Sequence, residues 1–254
     1  MRKTTFLAAS AVLTLAAGAV TAAVLPSYPA NIAAAVADAS RPQADKDLDA
    51  ERKPTDMLTF AGVKPGETVV DFMPGGGYFT RLFSDSVGPK GVVYAFIPSE
   101  LTKISKNPLP ANGDHPDAAR PNVTAIVAPV DDFAVPTKAD LVWTSQNYHD
   151  LHDPFMGPAD MKAFDTAVYK SLKPGGLFIV LDHAAAAGSG VSATNTLHRI
   201  DPAVVKTEVE AVGFKFVGES DVLKNPADPH TALVFDPSIR HHTDQFIYKF
   251  RKPG

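Results

Sequence analysis

Seven short apolar runs recur along the chain, at residues 68–71, 92–97, 122–127, 139–145, 177–183, 214–220 and 245–250. They are dense in Val, Ile, Leu and Phe and are bounded by Gly, Pro, Asn and Asp, which predicts buried strands. Between them the spacing turns helical. Apolar positions recur three and four apart over 78–83, 161–172 and 203–211. The last of these helices has Asp201 as its N-cap, Pro202 at its first position and Gly213 as its stop. Strands alternating with helices predict an α/β fold.

The stretches outside this rhythm carry their own expectations. The charged run 45–53 predicts a solvated helix face, broken before a second helix with Thr55 and Asp56 as capping residues. Leu58, Phe60 and Val63 should then pack on the sheet. Residues 24–44, rich in Ala with three prolines, predict a loose linker holding a short helix at 30–39. Residues 101–120 read as a short helix and a loop. The Gly/Ala/Ser stretch 184–193 reads as a mobile lid or substrate loop, and 221–244 as a hairpin insertion over the site.

The strongest local signal follows the first strand. Asp71 closes the run, and Gly75, Gly76 and Gly77 form a loop before helical spacing resumes at Tyr78. Glycines let backbone N–H groups approach a ligand, and the helix N-terminus favours a polar or anionic group in front of it. A dinucleotide fingerprint requires a small residue three positions after Gly77, where this chain has Thr80. Ligands in doubly wound sheets bind beyond the carboxyl ends of the strands. That places the cluster following the fourth strand, Gln146-Asn147-Tyr148-His149-Asp150-Leu151-His152-Asp153, where chemistry would occur.

Composition narrows the setting. The chain has 254 residues, 45% of them hydrophobic, enough for one well-buried domain over 45–254. A formal charge of -4 gives no polyanion-binding surface, so nucleic acid is not an expected partner. Arg2 and Lys3 precede an apolar run at 6–20 and then small residues, the outline of a secretory signal peptide over 1–23. The run is short for a bilayer span, so no stable membrane insertion is expected after cleavage. Cleavage would lower the net charge to about -6. Cysteine is absent, which suits an oxidising compartment such as the periplasm and excludes thiolate chemistry.

From about residue 45 to 253 the chain resembles class I S-adenosylmethionine (SAM) dependent methyltransferases, and within them a branch of exported bacterial proteins. The resemblance rests on Asp71-Phe72-Met73-Pro74-Gly75-Gly76-Gly77-Tyr78-Phe79-Thr80, Asn147-Tyr148-His149-Asp150-Leu151-His152, Leu172-Lys173-Pro174-Gly175-Gly176 and His198-Arg199-Ile200-Asp201. Asp71-x-Met73-x-Gly75-x-Gly77 is similar to the family's first motif, with Met73 in place of its first glycine. The resemblance implies a Rossmann-like, doubly wound seven-stranded sheet, mostly parallel with the last strand antiparallel. It implies SAM as cofactor, held by Asp71, Gly75, Gly76, Gly77 and Asn147. The acid expected on the ribose after the second strand is replaced by Ile97, which leaves Glu100 as the candidate. Asp131 or Asp132 would sit at the adenine edge.

Methyl transfer from a sulfonium is an in-line displacement, so the enzyme aligns donor and acceptor and removes a proton where the acceptor carries one. The candidate bases are His149 first, then His183 and His198. Tyr148 and Arg199 are candidates for binding an unidentified small-molecule or protein acceptor. Two other readings remain open at the level of sequence. His149, Asp150, His152, Asp153 and His183 are metal-ligand types, although no ligand motif such as H-E-x-x-H supports them. An exported protein also has no obvious supply of SAM, so the scaffold can instead serve as a ligand-binding module. Oligomeric state is not encoded in any feature of the pattern.

Overall fold

The computed structural model describes Met1 and residues 27–105 and 120–254. Apart from Met1, the expected leader lies outside the described residues, as does most of the expected 101–120 loop. Seven strands form one sheet: β1 (Thr68–Phe72), β2 (Val92–Pro98), β3 (Val123–Ala128), β4 (Ala139–Ser145), β5 (Leu172–His183), β6 (Lys215–Ser220) and β7 (Gln245–Arg251). Their order is β3-β2-β1-β4-β5-β7-β6. The first five strands run parallel, and β7 lies antiparallel to both β5 and β6. The expected doubly wound sheet with an antiparallel last strand is therefore present. The chain winds outward from β1 through β2 to β3 and then restarts at β4, so β1 and β4 border the topological switch point.

The pleat divides the core in two. Val70 and Phe72 of β1 face one side with Phe164, Val168, Val205 and Val209. Those four belong to α6 (Met161–Ser171) and α8 (Pro202–Ala211). Val69 faces the other side with residues of α1 (Ala30–Ala37), α4 (Pro54–Ala61) and α5 (Tyr78–Val87). Trp143 of β4 is fully buried there, its ring 4.8 Å from Phe79 and 5.6 Å from Phe83. The central strands β1, β2, β4 and β5 are covered on both faces, which is why their runs read as predominantly apolar rather than alternating, whereas the edge strand β6 has no fully buried residue. None of the described helices is long and apolar enough to cross a membrane.

Several local expectations are corrected. The stretch read as a loose linker holds the expected short helix as α1 but is packed rather than loose, since Ile32 is fully buried and Asn31 donates to the carbonyls of Val63 and Ser86. The charged run forms two short helices, α2 (Gln43–Asp47) and α3 (Asp49–Arg52). Neither Thr55 nor Asp56 caps α4. Lys53 precedes that helix at φ 47 and Pro54 opens it, because a proline at the first position already dispenses with one unpaired N–H. Asp201 does cap α8, accepting from the Ala203 N–H at 2.9 Å.

Residues 184–193 are tied down rather than free. Ala184 and Ala185 are buried, and the Gly188 N–H donates to Asp201 at 2.7 Å. The short α7 (Thr194–Leu197) follows. The segment 221–244 contains turns and no hairpin strands, because its prolines deny a ladder its donors. It is anchored instead by Arg199, which is fully buried and pairs with Asp228 through two contacts of 2.8 and 3.2 Å. Arg199 also donates to the carbonyls of Ala184 and Ala232.

Removing one partner of a buried ion pair leaves an uncompensated charge. Asp228→Ala should therefore destabilise the fold by about 3–5 kcal/mol, read as a lowered urea midpoint. A loss below about 1 kcal/mol would mean that the pair is not the anchor of this segment.

Candidate functional site

The glycine loop takes its shape from three left-handed residues, Met73 at φ 54, Gly75 at φ 54 and Gly77 at φ 80. The Gly77 N–H closes the turn on the Pro74 carbonyl at 2.9 Å, and α5 begins at Tyr78. A Cβ added at Gly75 or Gly76 would meet nothing within 4 Å. These two glycines thus face open space. A Cβ at Gly77 would lie 2.8 Å from the Arg81 guanidinium, which is itself held by both carboxylate oxygens of Asp45 at 2.7 and 2.8 Å. Gly77 is required for packing beneath the loop, whereas Gly75 and Gly76 leave room above it.

That room is a cavity of about 250 Å³ whose lining includes Asp71, Gly75, Gly76, Gln146 and Asn147. Asp45, Leu48 and Arg52 form its roof, so the charged run read as a solvated face instead covers the site. Tyr78 and Arg41 hold the roof through Asp49, each at 2.7 Å. Asp71 is 2% exposed and accepts a 2.6 Å hydrogen bond from Thr80 Oγ1. Burial pushes its carboxyl up to about 7, against the lowering effect of Thr80. Met73 is buried. Its N–H donates to Phe96 and its carbonyl accepts from Asn147 at 3.0 Å. In the place of a first glycine it acts as a packed strut.

A second cavity, about 190 Å³, adjoins the first across Arg52, Phe79, Ser145 and Gln146. His183, Thr243 and Gln245 contribute to its lining, as do Phe235 and His241 from the 221–244 segment. His241 reaches Glu51 of α3 at 2.8 Å, joining the two covers. His183 is buried, with Nδ1 2.8 Å from Thr243 Oγ1. Burial pulls its imidazole down to about 4, so it is neutral at pH 7.

The three candidate histidines converge. Asp182, fully buried at the end of β5, accepts from the His149 N–H at 2.8 Å and contacts His149 Nδ1 at 2.8 Å. His149 Nε2 then lies 3.2 Å from His198 Nδ1 and 3.3 Å from Asp150 Oδ1. Burial alone would lower the basicity of His149, but Asp182 and Asp150 outweigh it and raise the imidazole to about 10. His183 sits behind, its ring 6.4 Å from that of His149. Of the three, only His183 lines a cavity described above.

The remaining candidates separate. Asn147 lines the glycine-loop cavity. Glu100 accepts from the Val130 N–H at 3.1 and 3.2 Å, so its carboxylate caps a turn rather than facing the cavity. Asp131 and Asp132 are exposed in a single 3₁₀ turn. Tyr148 is fully buried with its hydroxyl committed to Asp165 and Glu208 at 2.9 and 3.1 Å. Arg199 is committed to Asp228. Neither is presented to an acceptor, because each satisfies a buried group from a distant part of the chain. Arg52, Gln146, Thr243 and Gln245 were missed as lining residues. The position of Gln146 directly after β4 was the available signal for it, while the others carry none.

Asp71 generates a pH dependence. Its folded carboxyl holds a proton up to about pH 7, whereas the ordinary value is 3.8. The favourable contribution is therefore complete below about pH 4 and is lost as pH rises through about 7. Urea midpoints measured from pH 4 to pH 8 should fall more steeply for the wild type than for Asp71→Asn, which stays neutral throughout. Parallel curves would show that Asp71 ionises normally in the fold.

No protein-family model matches the sequence, and no curated protein does. Solved structures do share the fold. A SAM-dependent methyltransferase from Aquifex aeolicus is 16% identical, with TM-score 0.52 over 83% of this chain and 98% of that one. The glycopeptide N-methyltransferase MtfA, solved with sinefungin, is 16% identical, with TM-score 0.53 over 84% and 98%. The [4+2]-cyclase SpnF is 15% identical, with TM-score 0.53 over 83% and 81%. The chain thus has the Rossmann-like, seven-stranded fold found in SAM-dependent methyltransferases of known structure.

Proposed function

We propose that the chain is a SAM-dependent methyltransferase acting on a small-molecule or protein acceptor. The carrying observation is the cavity at the switch point, where Gly75 and Gly76 stand clear of every neighbour and Asp71 is buried beneath them. A ligand with a cationic, amine-bearing end fits this donor set, since a buried carboxyl gains from a positive partner. Sinefungin, a SAM analogue, accompanies one of the solved structures that share the fold. Asp71, Gly75, Gly76 and Asn147 would hold the cofactor. When bound, it supplies an electrophilic methyl group.

The adjoining cavity is the place for the acceptor. An acceptor lodged between His183 and Gln245 would approach the glycine loop past Phe79 and Gln146, satisfying the alignment that in-line transfer needs. Neutral His183 can accept a hydrogen bond from an acceptor N–H or O–H and orient it. Holding the released proton at pH 7 would require a stronger base than an imidazole at about 4. The cyclase with the same fold is the reason to test the reaction directly, because a shared fold does not fix chemistry. The exported location belongs to this proposal and is supported by Arg2, Lys3, the apolar run at 6–20 and the absence of cysteine.

Gly76→Leu is the discriminating variant. Its φ is outside the left-handed region and its Cβ meets nothing, so the side chain can fill the cavity without straining the fold. In calorimetric titrations the wild type should bind SAM and S-adenosylhomocysteine with a dissociation constant on the order of micromolar. Gly76→Leu should weaken both at least roughly 100-fold with an unchanged unfolding midpoint. Wild-type protein that shows no binding at millimolar ligand would overturn the reading.

A further inference from the structure

We propose that His149, Asp150 and His198 form a binding site for one divalent transition-metal ion, separate from the glycine-loop cavity. His149 Nε2, His198 Nδ1 and Asp150 Oδ1 converge from two segments 48 residues apart, Asp150 lying in the turn after β4 and His198 in the corner after α7. Their mutual separations are 3.2, 3.3 and 3.8 Å. An ion with bonds of about 2.1 Å in tetrahedral geometry places its donors about 3.4 Å apart. The three atoms therefore already stand near the corners of one coordination shell. Two imidazoles and one carboxylate suit Zn²⁺ and its transition-metal neighbours rather than Mg²⁺ or Ca²⁺.

Three further observations support a built site. Asp182 contacts His149 Nδ1 at 2.8 Å, which orients the ring and leaves Nε2 for a ligand, the arrangement that outer carboxylates provide at metal centres. His198 holds a left-handed φ of 52, a conformation that side-chain-bearing residues adopt only when held. The buried Arg199–Asp228 pair next in sequence fixes it there. Asp153, 1% exposed in the same loop, carries an Oδ1 without a partner. Three protein donors leave at least one coordination position for water or another oxygen ligand.

The site does not rest on the methyltransferase reading, and its test contains no SAM. The full chain, stripped with chelator and dialysed, is titrated with Zn²⁺ by calorimetry and with Co²⁺ by visible absorption. One equivalent of Zn²⁺ should bind with a dissociation constant on the order of micromolar or tighter, and Co²⁺ should give the intense visible band of a tetrahedral site. His198→Asn keeps a residue that tolerates positive φ, and Asp150→Asn keeps the side-chain shape. Each should weaken Zn²⁺ at least roughly 100-fold, and Asp182→Asn roughly 10–100-fold. Unfolding midpoints measured in chelator establish that the variants fold. Absence of stoichiometric binding by the wild type would overturn the proposal. So would equal affinity in His198→Asn and Asp150→Asn, which would send the ion to surface histidines such as His241 or His242.

Discussion

The carboxyl edge of the sheet is built around one carboxylate. Asp182 is fully buried and accepts from the His149 N–H, His149 Nδ1 and the His183 N–H, each at 2.8 Å. A carboxylate taken out of water is costly unless its oxygens are satisfied, and here three donors satisfy it. Two of them belong to the loop after β4 and one to the residue that lines the second cavity. The position of Asp182 at the end of β5, between β4 and β7, makes it a fixed point to which the loop is tied. The ring orientation of His149, and through it the meeting with His198 and Asp150, follows from that tie.

A second set of charges shapes the opposite wall. Asp45 and Asp49 reach from α2 and α3 to Arg81, Arg41 and Tyr78. These contacts bring short helices, which would be marginal by themselves, over the glycine loop. Tyr78 also stacks beneath Arg52, whose guanidinium lies 4.6 Å from its ring centroid. The roof over the cavity is thus polar and directional, whereas the floor is sheet. Arg41 and Asp45 are buried in these pairs, so the roof is fixed in one geometry rather than loosely laid over the cavity.

The sheet was legible because the central strands β1, β2, β4 and β5 are covered on both faces and so are predominantly apolar. The glycine loop was legible because glycine adopts the left-handed backbone of Gly75 and Gly77 without the cost a side chain brings and leaves open space above Gly75. The N-cap at Asp201 was equally local. What escaped the sequence was pairing at a distance. Asp45 and Arg81 are 36 residues apart, Arg199 and Asp228 are 29 apart, and Tyr148 and Glu208 are 60 apart. Nothing local distinguishes such a charge from a solvated one. Tyr148 and Arg199 therefore looked like ligand contacts and are internal fastenings, while Asp45 and Arg52 looked like surface and belong to the site. His149 stood in the expected place, but its surroundings depend on Asp182, 33 residues later.

Backbone strain shows where this rigidity is concentrated. Six described residues other than glycine hold positive φ, and three of them, Met73, Gln146 and His198, lie along the carboxyl edge of the sheet or the loops beside it. Each is over-determined by its neighbours. Met73 is held by Phe96 and Asn147, Gln146 by the Leu181 carbonyl and the Gln245 side chain, and His198 by a helix end and the buried Arg199. Strain of this kind persists only where surrounding contacts impose it, and it clusters at sites of function. A glycine at position 73 would adopt the same backbone without cost, so Met73 exchanges conformational ease for a side chain buried in the core cluster that also holds Phe96 and Phe133. Gly75 and Gly76 stay open beside it. The cavity lies between the glycine loop and the end of β4, and Gln146 joins it to the second cavity.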